Sequence, residues 1–397
     1  MAIEIRTATD NDWEAICRAD GRAFGFGYTD AEMAERKPLH DLSRFRIAVD
    51  NGEIVSTAGS YALDVTLPGG VCVPMGGVTW VSTLATHRRQ GIMRQAVEAV
   101  HADIDERGEP LATLWASEGS IYEHLGYGIA SQVRVTTINP RLVSIRPEYR
   151  PSPASVRYID GDEAISAMTH IWERFRRCRT GEVNHDQMYN EVVYQMRTRP
   201  EGAMSGAYYL GHADGYAAYR IEQKWNTGHP AHIMHLIELA AVTPEAHAAL
   251  WQTLLSVDLV GEIRSSVIAP DDPLPFLLDN QRALRTIEVN DAIWANVRDP
   301  AICFGARAYR CSDRLVIEAD GKRWAIEGGP DGASCRAVRT RPDLVTTHAW
   351  FSALLYGGTL PSALVAGRRM TARNADVLNR ADQFFGTALV PYCQSHY

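Results

Sequence analysis

Val78-Thr-Trp-Val-Ser-Thr-Leu-Ala-Thr-His-Arg-Arg-Gln-Gly91 runs directly into Ile92-Met-Arg-Gln-Ala-Val-Glu-Ala-Val-His-Ala-Asp-Ile104. The first half reads as a buried strand followed by a short turn with two arginines and a glycine. The second half predicts a helix over 92–107. Ile92, Met93, Ala96, Val97, Val100 and Ile104 recur at helical spacing on one face, and Arg94, Gln95, Glu98 and Asp105 fall on the other. Gly108 is placed to end the helix and Pro110 prevents its continuation. Pro110-Leu-Ala-Thr-Leu-Trp-Ala116 is then a short apolar strand. Strand, turn, helix and parallel strand make a βαβ unit. The first N–H groups of a helix lack partners, so a helix start beside Gly and Arg suits a pyrophosphate.

The spacing Arg88-x-x-Gly91 at the end of a strand resembles the pyrophosphate turn of the GCN5-related N-acetyltransferases (GNATs). About 30 residues on, Trp115-Ala-Ser-Glu-Gly-Ser-Ile-Tyr-Glu-His-Leu-Gly-Tyr-Gly128 is similar to a block of the enhanced-intracellular-survival (Eis) acetyltransferases. Both blocks occur in that family's order, and the chain ends in an aromatic residue, Tyr397. Leu236-Ile-Glu-Leu-Ala-Ala-Val-Thr243 and Pro270-Asp-Asp-Pro-Leu-Pro-Phe-Leu-Leu278 extend the resemblance over the whole chain.

With 397 residues, two or three domains are expected. The formal net charge of −8 argues against nucleic acid and is compatible with a cationic substrate. No run of one charge sign suggests a membrane surface, and no apolar run approaches the ~18–20 residues that span a bilayer. Met1-Ala-Ile-Glu-Ile-Arg6 carries no signal-peptide pattern. The seven cysteines are scattered, odd in number and without Cys-x-x-Cys, which fits reduced thiols and a cytoplasmic location.

The fold class expected is α/β (α+β): tandem GNAT-like domains followed by a sterol-carrier-protein-like α+β domain. Residues 1–145 fit the catalytic domain. They hold a first strand at Glu4, a helix from Trp13, and a hairpin whose Asn51-Gly52 suits a tight turn. Residues 129–138 read as its late strand. Pro140, Pro147, Pro151 and Pro153 punctuate a linker. Residues 146–292 form a second α/β block, with a strand over 233–242 and a helix opened by Thr243-Pro-Glu245. Nothing like Arg-Arg-x-Gly stands between that strand and helix, so this block reads as a degenerate GNAT-like domain without a coenzyme site. Hairpins at Asp320-Gly321 and Asp331-Gly332, then helices over 346–356 and 372–385, occupy 293–397. The resemblance implies a sterol-carrier-protein-like domain there, serving assembly and supplying the catalytic C-terminus.

The resemblance also implies the chemistry. Acetyl-CoA is the co-substrate, no metal takes part, and the acetyl group passes directly to an amine in a ternary complex. The amine belongs to a small molecule or a lysine, antibiotic amines such as aminoglycosides among them. Two other readings stand beside this one: a narrow biosynthetic or detoxifying amine acetyltransferase, and a non-catalytic acetyl-CoA sensor. Val81, Ser82 and Thr83 are expected to pair with the pantetheine arm. Arg88, Arg89, Gln90, Gly91, Ile92, Met93 and Arg94 are expected around the pyrophosphate, with Ser117 and Glu118 completing the coenzyme site. Tyr122 matches the family's general acid, and Tyr127 is its rival. The terminal carboxylate of Tyr397 is implied as the proton acceptor. Phe24, Phe26, Trp80, Trp115 and His396 are expected to wall the amine, with Asp30, Glu32 and Glu35 at the rim. Aminoglycoside-acetylating members carry carboxylates where this chain has Phe26 and His396, so broad aminoglycoside activity is not implied. His229, His232 and His235 are spaced three apart, which on a strand turns neighbours to opposite faces and disfavours a shared metal. A homohexamer is implied by resemblance, with neither nucleic acid nor membrane as partner.

Overall fold

The computed structural model describes residues 3–151 and 155–397, so Pro153 of the expected linker lies outside the described residues. The chain forms two compact units. The first contains residues up to Ala130, Ile293–Ala388 and His396–Tyr397; the second contains Ser131–Ala292 and Leu389–Ser395.

The first unit is built on a seven-stranded sheet. Strands β1 (Glu4–Thr7), β2 (Arg46–Asp50), β3 (Glu53–Thr66), β4 (Cys72–Thr83) and β5 (Leu111–Trp115) lie side by side in that order. Asn51 and Gly52 both take positive φ, which makes the tight turn between β2 and β3. Helix α1 (Trp13–Phe24) covers one face through Trp13, Ile16 and Cys17 against Phe45 and Ile47. Helix α2 (Asp30–Arg36) follows it. Helix α3 (Ile92–Glu106) covers the other face, with Ala96, Val97, Val100 and Ile104 against Ala58, Val78, Ala112 and Leu114. Neighbouring Ile47 and Ala48 pack with different helices, as strand alternation requires. Beyond β5 comes the short helix α4 (Gly119–Tyr122) and strand β6 (Gly128–Ile129).

The sheet takes its remaining strand from far along the chain. Ile293–Val297 inserts between β5 and β6, antiparallel to both. All five of its residues are buried, as a central strand demands. Gln132–Ile138, read from sequence as a late strand of the first domain, instead pairs within the second unit's sheet. The two units therefore divide at Ala130/Ser131 rather than near residue 145. Residues 313–372 add a five-stranded sheet whose hairpins turn at Asp320-Gly321 and, one residue earlier than the Asp331-Gly332 expected, at Pro330-Asp331. Helices Pro300–Ala306, His348–Ala353, Pro361–Ala366 and Ala375–Phe385 accompany it. Arg307, 1 % exposed, ties the region together by donating to the carbonyls of Leu354, Leu355 and Phe385 at 2.8 Å.

The second unit repeats the plan. Its seven-stranded sheet carries a parallel pair, His232–Ala241 and Val260–Ile268, joined through the helix Pro244–Leu255. Here Thr243 caps the helix, its hydroxyl accepting from the Ala246 N–H. His232 bonds the Lys224 backbone and His235 pairs with Glu222 at 3.1 Å, so these two histidines are engaged separately. Among the described residues, no helix is long and apolar enough to cross a membrane.

Candidate active site

Strands β4 and β5 run parallel but pair only at Gly76–Ala112 and Gly77–Thr113. Beyond that rung they part, leaving one edge of the upper half of β4 open beside the end of β5. The upper half of β4 is also bulged: Thr57 pairs with Ser82 and Gly59 with Thr79, so Trp80 and Val81 stand opposite Ala58 alone. Trp80 adopts φ +51°, which is unfavourable for a residue with a side chain. Thr57 holds the distortion, donating its hydroxyl to the Trp80 carbonyl at 2.7 Å. Strained backbone of this kind collects where a ligand needs a particular backbone presentation.

The turn from β4 into α3 is built of residues in left-handed conformations, Arg89 at φ +63° and Gly91 at φ +79°. Arg88, Arg89, Gln90, Gly91 and Arg94 are exposed. Gly91 is the N-cap of α3, no side chain caps it, and the first turn contains no acidic residue. With glycine at the N-cap, the missing side-chain cap costs roughly a few tenths of a kcal/mol. The buried Ile92, Val97, Val100 and Ile104 contribute on the order of 1.5–3 kcal/mol each, so packing holds the helix while its N–H groups remain available to an anion. Ile92 itself points into the core with Ala48 and Val55, which limits its contribution to its backbone.

Tyr122 and Tyr127 are separated by environment. Tyr127 is fully buried and bonded to His101 Nε2 at 2.7 Å, which fixes it between α3 and the sheet. Burial pushes the His101 imidazole down to about 4, so that ring is neutral at pH 7. Tyr122 packs beside Val81 and Met93, and its phenol bonds Ser117, an exposed residue just beyond β5. Burial raises the Tyr122 phenol above its ordinary value. Glu118 is exposed beside Ser117.

Tyr397 lies on the last paired rung. Its hydroxyl is 2.7 Å from Thr113 Oγ1, and its ring lies where a Cβ on Gly77 would approach to 3.0 Å. His396 packs on Trp115 with ring centroids 4.7 Å apart. Phe24 and Phe26, each about half exposed, begin a second aromatic group. Phe26 meets Tyr28 edge-on at 5.0 Å, and Tyr28 stacks on Trp80 at 5.7 Å. Trp80 Nε1 donates to the Tyr61 hydroxyl at 3.2 Å, which donates to His40 Nε2 at 2.8 Å. His40 Nδ1 donates to the Arg36 carbonyl, which can only accept, so the tautomer is fixed and Nε2 is the acceptor. Sequence reasoning missed Tyr28, His40, Tyr61 and Thr113. The alternation Phe24, Phe26, Tyr28 was a usable signal for Tyr28; the others are joined only by the fold. Glu32 is used in the capping box of α2, bonded to the Thr29 N–H and hydroxyl at 2.8 Å, rather than reaching across a site.

Asp20 supports this wall, accepting from the Tyr28 hydroxyl at 3.3 Å. Its other oxygen is buried without a hydrogen-bond partner, and burial pushes the carboxyl up to about 6. A folded-state value above the unfolded one means the native state binds the extra proton. Stability should therefore fall as pH rises from about 4 to 6 and stay lowered above that. Asp20→Asn is expected to raise stability at pH 7.5 by on the order of 1 kcal/mol and to flatten the profile across that window. Denaturant melts at pH 4.5 and 7.5 check both.

Comparison with known proteins identifies the architecture. Acetyltransferase (GNAT) domains match residues 4–130 and again 181–298. N-acetyltransferase Eis of Mycobacterium tuberculosis CDC 1551 is 30% identical over 399 residues, covering 98% of both chains. The chain belongs to the Eis family of N-acetyltransferases. An uncharacterized N-acetyltransferase of Streptomyces avermitilis is likewise 30% identical, over 92% of this chain and 91% of its own. The crystal structure of Eis1 from Mycobacterium abscessus matches with a TM-score of 0.87 at 28% identity, over 99% of this chain and 100% of that one. A GCN5-related N-acetyltransferase from Anabaena variabilis shares the fold at 16% identity, with a TM-score of 0.83. The two GNAT matches agree with the two seven-stranded sheets, each with its parallel pair. Of the two, only the first joins its pair through a helix without a side-chain cap.

Proposed function

We propose that this Eis-family enzyme transfers the acetyl group of acetyl-CoA to an amine borne on an aromatic or apolar body. The observation that carries the reading is the parting of β4 and β5 above Gly77 and Thr113, with the uncapped start of α3 beside it. A pantetheine arm pairs with an open strand edge, and a pyrophosphate suits a turn with two left-handed residues and free N–H groups. Acetyl-CoA, when bound, supplies the activated acetyl group. The backbone of Val81–Thr83 orients the arm, and Arg88, Arg89 and the N–H groups of Gly91–Met93 hold the phosphates, with Arg94 adding charge.

Tyr122 Oη is the proton donor for the departing thiol. A phenol raised above ~10 gives its proton to a free thiolate of pKa ~8.5 only uphill, by about 2 kcal/mol or more. Tyr122 therefore acts while the thioester bond is breaking, which is general acid catalysis in the strict sense. The proton lost by the amine is proposed to leave toward Tyr397, whose hydroxyl meets Thr113 Oγ1 at 2.7 Å. The wall of Phe24, Phe26, Tyr28 and Trp80 favours flat or apolar amines and gives an ammonium cation–π contact.

A thiol-release assay with acetyl-CoA tests the reading across arylalkylamines, polyamines, lysine peptides and aminoglycosides. Arylalkylamines are expected to have the highest kcat/KM. Acetyl-CoA binding with no turnover on any amine would replace the enzyme reading with coenzyme sensing. A preference for polyamines would reject the aromatic wall as the specificity element.

A further inference from the structure

Four hydroxyls of β3 and β4 surround the bulge at Trp80. Those of Ser56, Thr57 and Ser82 belong to buried residues, and that of Thr83 to a half-buried one. The Thr57 hydroxyl donates to the Trp80 carbonyl at 2.7 Å and lies 2.8 Å from Ser82 Oγ. The Ser56 hydroxyl donates to the Ser82 carbonyl at 2.6 Å and lies 2.8 Å from Thr83 Oγ1. A hydroxyl carries one proton. Those of Thr57 and Ser56 are committed to carbonyls, so Ser82 donates to Thr57 and Thr83 donates to Ser56. Two short relays result. Each starts at a hydroxyl of β4, passes through one of β3 and returns to a carbonyl of β4. Hydrogen bonds in such a chain polarise and strengthen one another.

The relays bear on which way the peptides of upper β4 face. The carbonyls of Trp80 and Ser82 are turned toward β3, and so is the Leu84 N–H, which donates to the Val55 carbonyl at 2.9 Å. In a trans peptide the N–H points opposite to the carbonyl. The N–H groups of Val81 and Thr83 therefore face the other edge, which β5 leaves open beyond Gly77 and Thr113. Two residues of strand set these donors roughly 6.7 Å apart. Around Ser82 the paired register with Thr57 already fixes the backbone. Around Trp80 it does not, because Trp80 and Val81 share the single partner Ala58 and Trp80 stands at φ +51°. At that point the Thr57 hydroxyl takes the place of the ladder. The Trp80 ring is held separately, by Tyr61 through Nε1 and by stacking on Tyr28, so Thr57 acts on the peptide rather than on the aromatic wall.

We infer that Thr57 is a positioning residue for the coenzyme: its hydroxyl fixes the Trp80–Val81 peptide so that the Val81 N–H is presented to the pantetheine arm. Thr83 is the nearer of the two donors to the Arg89–Gly91 turn along the chain, so Thr57 governs the end of the arm away from the phosphates. Left-handed backbone at a residue with a side chain persists only where its surroundings hold it. Without the Thr57 hydroxyl this peptide is free to rotate, and the donor must be turned back each time the arm binds. A donor aimed in advance spares the ligand that cost. The role toward the arm rests on the placement of acetyl-CoA proposed above; the direction of the two N–H groups does not.

The test titrates two ligands into the full chain by calorimetry. One is acetyl-CoA. The other is the phosphorylated ADP half of the coenzyme, which ends at the pyrophosphate and has no arm. Thr57→Val keeps the branched shape and removes the hydroxyl. It is expected to weaken acetyl-CoA binding about tenfold or more and to leave the nucleotide half within about twofold of wild type, a split that general loss of structure would not give. Thr57→Ser restores the hydroxyl and is expected to return acetyl-CoA to within about threefold of wild type. Where Thr57→Val fails to fold, Thr57→Cys makes the comparison, since it differs from Thr57→Ser in one atom and donates only weakly. Equal weakening of both ligands overturns the positioning role, and so does unaltered affinity for acetyl-CoA. If the double variant Arg89→Ala, Gly91→Glu also leaves both affinities unaltered, the fault lies with the proposed coenzyme site and not with Thr57.

Discussion

Tyr122→Phe is expected to lower turnover by about 10²-fold or more while leaving acetyl-CoA binding nearly unchanged, since that is the usual worth of a positioned general acid. The ring packs with Val81, Met93 and the face of α3, and phenylalanine keeps those contacts. What is lost is one hydroxyl bonded to Ser117. Ser117 is exposed, so water can replace its partner and the cost to stability should be small. Tyr127→Phe should do the reverse. It leaves a His101 ring nitrogen buried without a partner, which costs about 1–3 kcal/mol, yet it removes nothing from the parted strands. Paired measurements of kcat and melting temperature on both variants separate the roles. A larger loss of kcat in Tyr127→Phe, with folding intact, would exchange the assignments.

The difference between the two tyrosines shows where sequence reading reaches its limit. Both stand in one short block, five residues apart, and local pattern gives each the same claim to be an acid or a core aromatic. Their surroundings diverge because His101, on α3, bonds Tyr127. The β4–α3–β5 unit was legible in full, because helical spacing, Gly108 and Pro110 are local signals. The strand Ile293–Val297 was not assigned to the first sheet, because its five buried residues carry no mark of which sheet receives them. The same holds for Gln132–Ile138, whose alternating pattern fits an antiparallel partner in either unit. Thr113 and Tyr397 meet across 284 residues of sequence, a separation at which only the fold brings side chains together. The aromatic wall was half legible: Phe24, Phe26 and Trp80 were visible as residue types, whereas the relay from Trp80 through Tyr61 to His40 joins three elements.

Arg89→Ala combined with Gly91→Glu is expected to abolish the stabilisation that acetyl-CoA gives the wild-type chain. A ligand bound only by the native state adds about 2.7 kcal/mol at a hundredfold excess over its dissociation constant, so the melting shift measures the site directly and needs no amine. Both positions have positive φ, at +63° and +79°, and carry the turn proposed to face the phosphates. Alanine at 89 removes one cation. Glutamate at 91 places a negative charge at the helix start, where a pyrophosphate would sit, and a charge of the same sign there repels it. The same glutamate is favourable to the free helix by about 0.3–1 kcal/mol, because the N-terminal dipole attracts an anion. That gain offsets part of the strain of a side chain at left-handed φ, and a Cβ on Gly91 meets no atom closer than 3.9 Å. The free protein should therefore melt within a few degrees of wild type, while at least a hundredfold of coenzyme affinity is lost. Melting curves with and without acetyl-CoA, and with desulfo- or dephospho-CoA as controls, give the comparison. A double variant that keeps the full shift would place the coenzyme away from the start of α3 and remove the basis for reading the parted strands as its slot.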